Sequence, residues 1–268
     1  MKLGLLVITF LAAALAGPQS KPDEAVAHYN LGVALSDKGD LDGAIKEYRE
    51  AIRLKPDYAD AHYNLGLALS REGDVDGAIK ELREAIRLKP DDAAAHNHLG
   101  VALTDKGDLD GAIKEYREAI RLGPDFAAAH NDLGVALKDK GDLDHAIKEY
   151  RQAIRLKPDE AVVHYNLGYA FEKQNELDSA MEEYREASRL DPKYPDAHFR
   201  MGIILDHKGD NDAAISEYRE TLRLEPGSAR AHYHLGRLLK DTGKDQAASQ
   251  EFAVACALEP QNRQVCPQ

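Results

Sequence analysis

Proline recurs every 34 residues along this chain, at Pro56, Pro90, Pro124, Pro158, Pro192, Pro226 and Pro260. Gly32, Gly66, Gly100, Gly134, Gly168, Gly202 and Gly236 keep the same interval. So do Ala44, Ala78, Ala112, Ala146, Ala180, Ala214 and Ala248. A fixed period of this length is the mark of a repeat protein, in which one supersecondary unit is stacked many times. Seven units run from residue 25 to 262: 25–58, 59–92, 93–126, 127–160, 161–194, 195–228 and 229–262.

Each unit reads as two helices. In the first, Ala27, Leu31, Ala34 and Leu35 fall on one helical stripe, followed by a second stripe of Leu41, Ala44, Ile45, Tyr48, Ala51 and Ile52. Gly39 sits where a left-handed helix end wants no Cβ, and Asp40 can cap the second helix. Pro56 ends that helix, because proline has no N–H for the ladder, and Asp57 can cap the next unit. Gly32 lies mid-helix, where glycine costs about 1 kcal/mol relative to alanine. Repetition of that cost predicts a close backbone approach at this point. A single helix pair cannot bury both faces, so the units must stack.

These positions resemble the tetratricopeptide repeat family. His28, Leu31-Gly32, Leu35, Ala44, Tyr48, Ala51 and Pro56 stand where the family places its bulky residue, Leu-Gly, Tyr-like position, Ala, aromatic, Ala and Pro. His replaces the family's frequent Trp in every unit. The resemblance covers residues 25–262. It implies an all-α fold, a right-handed superhelix or α-solenoid, whose first helices line a concave groove that holds peptide segments. It implies no catalysis and no cofactor.

On the first helix, positions two, five, six, nine, twelve and thirteen share the face opposite the apolar stripe. Four of the six differences between units one and three fall in that helix, whereas the second-helix residues Lys46, Glu47, Arg49 and Arg53 recur almost unchanged. Free drift of exposed positions and selection on a groove both fit this contrast; the expected peptide-binding groove follows the second. Its residues are Tyr29, Asn30, Val33, Tyr63, Asn64, Leu67, His98, Asp132, Tyr165, Asn166, Tyr169, Phe199, Arg200, Tyr233, His234 and Arg237. Asn30, Asn64 and Asn166 can accept from one peptide group and donate to another, and the aromatic residues can pack on apolar side chains. The Asn row resembles the asparagine ladder of O-linked N-acetylglucosamine transferase repeats, interrupted here by His98 and Asp132. A carboxylate clamp of the chaperone type needs Lys at position five and Asn at nine; Tyr29 and Val33 stand there instead. Arg200, His207, Arg230, His234, Arg237 and Lys240 gather toward one end, which suits a carboxylate or acidic peptide as well as an ordinary solvated surface.

The chain carries 35 Lys plus Arg against 47 Asp plus Glu, a formal charge of -12. Nucleic acid is therefore an unpromising partner, since such binding rests on cations meeting phosphates. There is no P-loop, dinucleotide fingerprint, His-Glu-x-x-His or Gly-x-Ser-x-Gly. The abundant acids read as solvated charge. Seven of the 11 His, from His28 to His232, recur at position four. Neighbouring units place them on the order of 10 Å apart, given ordinary helix packing. A zinc–nitrogen bond is ~2 Å, so no metal site is expected and each ring reads as filling a core gap.

The ends carry separate signals. Lys2, the apolar run Leu3–Leu15 and Ala14-Leu15-Ala16 read as an export signal spanning 1–16, with 17–24 as a linker. An uncleaved anchor or a buried first helix is the alternative; the run falls short of the ~20 residues needed to span a bilayer. Cys256 and Cys266 are the two cysteines, and a disulfide between them would fold back the tail, 263–268; unlinked thiols are the alternative. The expected function is an exported, non-enzymatic scaffold for a protein or peptide. An accessory component of an enzyme complex and a self-assembling repeat protein remain as alternatives.

Overall fold

The computed structural model describes residues 21–262, and in these it shows fourteen α-helices and no strand. The signal segment 1–16, linker residues 17–20 and the tail 263–268 lie outside the described residues. Two compact units meet in sequence between Asp125 and Phe126. The first holds three helical hairpins: α1 (Lys21–Asp37) with α2 (Leu41–Leu54), α3 (Ala59–Glu72) with α4 (Val75–Leu88), and α5 (Ala93–Asp105) with α6 (Leu109–Leu122). The second holds four: α7 (Ala127–Asp139) with α8 (Leu143–Leu156), α9 (Ala161–Lys173) with α10 (Leu177–Leu190), α11 (Pro195–His207) with α12 (Asn211–Leu224), and α13 (Ala229–Asp241) with α14 (Asp245–Leu258). In both units each helix packs on its sequence neighbours, the arrangement of an all-α solenoid of helical repeats. Lys21–Glu24, read as linker, already belong to α1.

Local chemistry fixes the hairpin. Gly39, Gly73, Gly107, Gly141, Gly209 and Gly243 take φ between 76° and 91° at the turn between the two helices. In the fifth repeat Asn175 adopts φ 62° in the same place, asparagine being the residue that tolerates this conformation next best. Asp40 accepts from the Gly43 amide and caps α2, as the sequence predicts. The cap expected from Asp57 is not there. Tyr58 is the N-cap of α3 and makes no side-chain bond, whereas Asp92, one position later in its repeat than Asp57, accepts from the Ala94 and Ala95 amides of α5. The proline turn consumes one more residue than the sequence reading allowed.

Call the first helix of each hairpin A and the second B. A helices internal to a unit lie between two B helices and bury apolar residues over a wide arc: Ala61, Leu65, Ala68 and Leu69 in α3, Val163, Leu167, Ala170 and Phe171 in α9. The equivalent stripe of α1 differs from expectation. Ala27 and Ala34 are exposed and Leu31 is 49% exposed, against 3% for Leu65. No B helix precedes α1 among the described residues, and that is the element against which the stripe packs elsewhere.

The mid-helix glycine has a specific reason. A Cβ on Gly134 would stand 2.6 Å from the Tyr150 ring, and one on Gly100 2.6 Å from Tyr116. Gly32 and Tyr48, Gly168 and Tyr184, and Gly202 and Tyr218 repeat the arrangement. The close approach is thus between a helix backbone and the flat of a buried ring, rather than between two backbones as the sequence suggested. Leu82 takes the role of the ring in the second repeat.

Gly134→Ala is therefore expected to destabilise by about 1–3 kcal/mol, an overpacking cost larger than the helix-propensity gain of alanine. An unchanged midpoint in chemical denaturation would show that the ring yields without cost.

Candidate functional site

The face under consideration belongs to the A helices, and its side chains are largely committed to one another. Residues five and six of neighbouring repeats meet, 35 positions apart. The Asn64 amide donates to the Tyr29 hydroxyl at 2.8 Å, and the Asn166 amide donates to Asn131 Oδ1 at 3.0 Å. His98 Nδ1 donates to the Ala94 carbonyl at 2.8 Å, and Tyr63 oxygen stands 3.2 Å from the same nitrogen. The His234 ring meets Phe199 edge-on with centroids 5.5 Å apart. Tyr29 and Tyr165 each pack on the aromatic at the end of their own repeat, Tyr58 at 5.0 Å and Tyr194 at 5.2 Å. Asn64 and Asn166 are thus stitches between repeats, whereas Asn30 is exposed.

Of the sequence-predicted residues, Tyr29, Asn30, Val33, Tyr63, Asn64, Leu67 and His98 lie on α1, α3 and α5 of the first unit. Asp132, Tyr165, Asn166, Tyr169, Arg200, Tyr233, His234 and Arg237 lie on α7, α9, α11 and α13 of the second. Asn30 is exposed and the others are half-buried. Phe199 departs from expectation: it is buried, packed on Tyr218 and covered by the Arg230 guanidinium at 5.3 Å. It belongs to the core, with the His234 ring set edge-on against it.

The basic end is less charged than its composition. Arg200 pairs with Glu172 at 3.2 Å, and Arg237 pairs with Asp206. Burial, helped by the Arg237 charge, pushes the His234 pKa down, so this ring is neutral at neutral pH. Of the three cations that do converge, Arg200 is among the expected groove residues, and Lys138 and Lys173 are ones the sequence reading missed. Lys138 of α7 and Lys173 of α9 stand 5.5 and 5.1 Å from the Tyr169 ring centroid, and Arg200 of α11 stands at 4.7 Å. Lys at repeat positions twelve and thirteen, where earlier repeats carry Ser36, Ser70, Thr104, Asp37 and Asp105, was the available signal.

The histidine row also has a role composition did not show. His62 Nδ1 lies 2.7 Å from Glu81 and its Nε2 3.0 Å from the Pro56 carbonyl. His96, His164 and His232 repeat both contacts, with Glu115 and Pro90, Glu183 and Pro158, and Glu251 and Pro226. His28, His130 and His198 pair with Glu47, Glu149 and Glu217. So Glu47 and its equivalents are not solvated surface acids, as the sequence suggested. They turn back onto the A helix of their own hairpin. No group of metal-ligating side chains is present among the described residues.

An all-α stack of glycine-turned hairpins places the protein in the helical-repeat class. Two family models match: "TPR repeat" over residues 34–73, 134–175 and 171–205, and "Tetratricopeptide repeat" over 63–127 and 199–263. The chain belongs to the tetratricopeptide repeat family. A search of curated proteins gave no match. Among solved structures the chain is similar to MamA, with 29% identity, a TM-score of 0.57, and coverage of 61% of this chain and 95% of that one. PilF of Pseudomonas aeruginosa shares 24% identity with a TM-score of 0.70, covering 77% and 94%. YrrB shares 22% identity with a TM-score of 0.57, covering 69% and 95%. Cys256 is disulfide-bonded, and Cys266, its expected partner, lies outside the described residues.

A pH dependence follows from the His–Glu pairs. At His62 burial is the largest influence and lowers the pKa, but the bonds to Glu81 and Pro56 and the charges of Glu81 and Glu84 outweigh it and the net shift is upward from 6.5. His164 is raised chiefly by its bond to Glu183. Glu81 is lowered from 4.5, chiefly by its bond to His62. A raised histidine contributes fully below pH 6.5 and loses its contribution as pH rises through the folded value. A lowered carboxylate contributes above pH 4.5 and loses it as pH falls through the folded value. Stability contributed by these groups is thus greatest between the two. The melting temperature is expected to be higher at about pH 5.5 than at about pH 8, and the difference should shrink in a His62→Asn, His164→Asn double variant. An undiminished difference in that variant would assign the pH effect to other groups.

Proposed function

We propose that this chain is an exported, non-enzymatic scaffold whose A-helix face binds peptide segments of other proteins. The observation that carries the reading is the contrast between the two faces of the same hairpins. B helices repeat one surface motif, a bidentate Arg–Glu pair, at Arg53–Glu50, Arg87–Glu84, Arg121–Glu118, Arg189–Glu186 and Arg223–Glu220. Exposed pairs of this kind contribute little to stability and mark a solvated face. The A-helix face varies from repeat to repeat, and its aromatic and amide groups are held in place by the five-to-six stitches. Side chains fixed before a partner arrives lose little conformational freedom on binding, which favours affinity. YrrB, described as a TPR protein with an unusual peptide-binding site, shares the fold and adds to this reading.

Half-buried aliphatic residues at position nine, Val33, Leu67 and Val101, form an apolar floor in the first unit. Half-buried carboxylates of the hairpins are engaged by neighbouring side chains: Glu81 by His62, Glu172 by Tyr184 and Arg200, and Asp206 by Arg237. Export rests on residues 1–16 and their small residues at the cleavage site. N-terminal sequencing of protein recovered outside the cytoplasm is expected to begin at Gly17.

A second reading, self-association, has one observation in its favour: the uncovered apolar stripe of α1, with Leu31 and Val26 49% and 43% exposed. Light scattering of the purified protein separates the two, a monomer leaving the stripe free.

Peptides selected for binding are expected to slow amide exchange in A helices and leave B helices unaffected. Leu67→Glu should abolish binding of those that protect α3 without lowering the melting temperature by more than about 1 kcal/mol equivalent, as for other part-exposed sites. Protection confined to the B helices would overturn the reading.

A further inference from the structure

We propose that Tyr169 and the cations around it form an anchor for an acidic side chain, aspartate or glutamate, within a bound peptide. This rests on the peptide-binding reading of the A-helix face and adds the chemistry of the partner.

The cluster is assembled by three successive A helices of the second unit. Lys138 comes from α7, Tyr169 and Lys173 from α9, and Arg200 from α11. Each departs from the pattern of the first unit, where the same positions carry Ser or Thr, Val or Leu, Asp or Arg, and Asn or His. The three cations among them converge on the fourth, the Tyr169 ring, within 5.5 Å of its centroid. A cation over an exposed ring gains only about 0.5–1 kcal/mol. Three cations sharing a ring also repel one another, so the cluster needs counter-charge.

The protein supplies part of it. Asp139 stands 3.1 Å from Lys138. Glu172 stands 3.2 Å from Arg200 and also accepts from the Tyr184 hydroxyl at 2.7 Å. Three cations against two carboxylates leave one positive charge. Lys173 carries it: the side chain is exposed and in no ion pair among the described residues. A second gap lies beneath. The hydroxyls of Tyr116 and Tyr184 reach the residue twelve positions earlier, Thr104 and Glu172. In that register Tyr150 stands opposite Lys138, yet its hydroxyl is fully buried and has no hydrogen-bond partner in the described residues. Lys138 reaches toward the Tyr169 ring instead.

One carboxylate balances this account. It can accept from the Lys173 ammonium and from guanidinium N–H groups of Arg200 that Glu172 and Tyr165 leave free, and charge-assisted bonds of this kind are the strong ones. The stem of the acidic residue then lies along the Tyr169 ring. A polyanion fits less well. A single excess charge does not neutralise successive phosphates, and Asp139, Glu172 and a chain of net charge -12 repel them.

The test is peptide-display selection on the intact protein with random short segments. Acidic residues are expected to be enriched among binders to wild type, and Glu→Gln versions of those binders should weaken about tenfold. Lys173→Glu and Tyr169→Leu should remove the enrichment while circular dichroism and melting stay as in wild type. Lys173→Arg should retain it. Binders without acidic bias, or acidic binders indifferent to both variants, would overturn the anchor and leave the peptide-binding reading standing. A selection that returns no peptide at all would reject both. Displacement of the acidic peptides by a single-stranded oligonucleotide acting through the same residues at lower concentration would reassign the cluster to polyanions.

Discussion

The contact on which the rest depends is a flat ring laid against bare helix backbone. At Gly134 the missing Cβ lets Tyr150 lie within van der Waals reach of α7, and four further repeats place a tyrosine on glycine in the same way. Interiors tolerate neither voids nor overlap, so this contact fixes the distance between the helices of a hairpin. With that distance set, the B helix turns Glu81 toward His62, and His62 in turn reaches the Pro56 carbonyl at the end of the preceding repeat. Packing within a hairpin and bonding between hairpins are therefore consequences of the same small residue. Chemistry specific to each repeat is confined to the outer A-helix positions, where it leaves the contact undisturbed.

Much of the fold is legible in the sequence because its determinants are local. Period, helix count per repeat, the glycine turn and the Asp40 cap each depend on residues within a few positions of one another. What the sequence hides is set by distances of 19 and 35 residues. Glu47 sits among Lys46, Arg49 and Arg53 and looks like another surface charge, but its side chain leaves the helix toward His28. Asn64 and Asn166 have the chemistry of ligand-binding amides, yet a neighbouring repeat already occupies them. Leu31 carries the periodicity of a core residue, and only the absence of a covering helix in the described residues makes it exposed. Position five is half-buried in Tyr29 but a core position in Phe199, whose ring packs on Tyr218 beneath Arg230, a contact that the repeat pattern does not reveal. Lys138 and Lys173 were readable as departures from the repeat, but their meeting point required the helix register.

The A-helix face thus has two characters. In the first unit it carries aromatic rings, amides and an aliphatic floor, with charge at Asp37, Arg71 and Asp105. In the second it gathers charge about Tyr169, while Arg237 is paired with Asp206 and His234 is kept uncharged. Internal pairing of this sort makes the surface stiff and limits what it can still bond. Recognition then falls to the few groups left uncommitted, which is where selectivity between partners must reside.

The exposed Leu31 stripe marks the place where α1 would receive one more hairpin. Internal repeats show the receiving surface already complete, since Leu65 and Leu99 in the same register are covered. Because every seam uses the same few contacts, whole repeats can be gained or lost by gene duplication and unequal crossing-over with no compensating change at the join. Length and stability in such a molecule change together, one repeat and one interface at a time. A lineage can tune the reach of its binding wall by counting units while leaving the rules that assemble each one untouched.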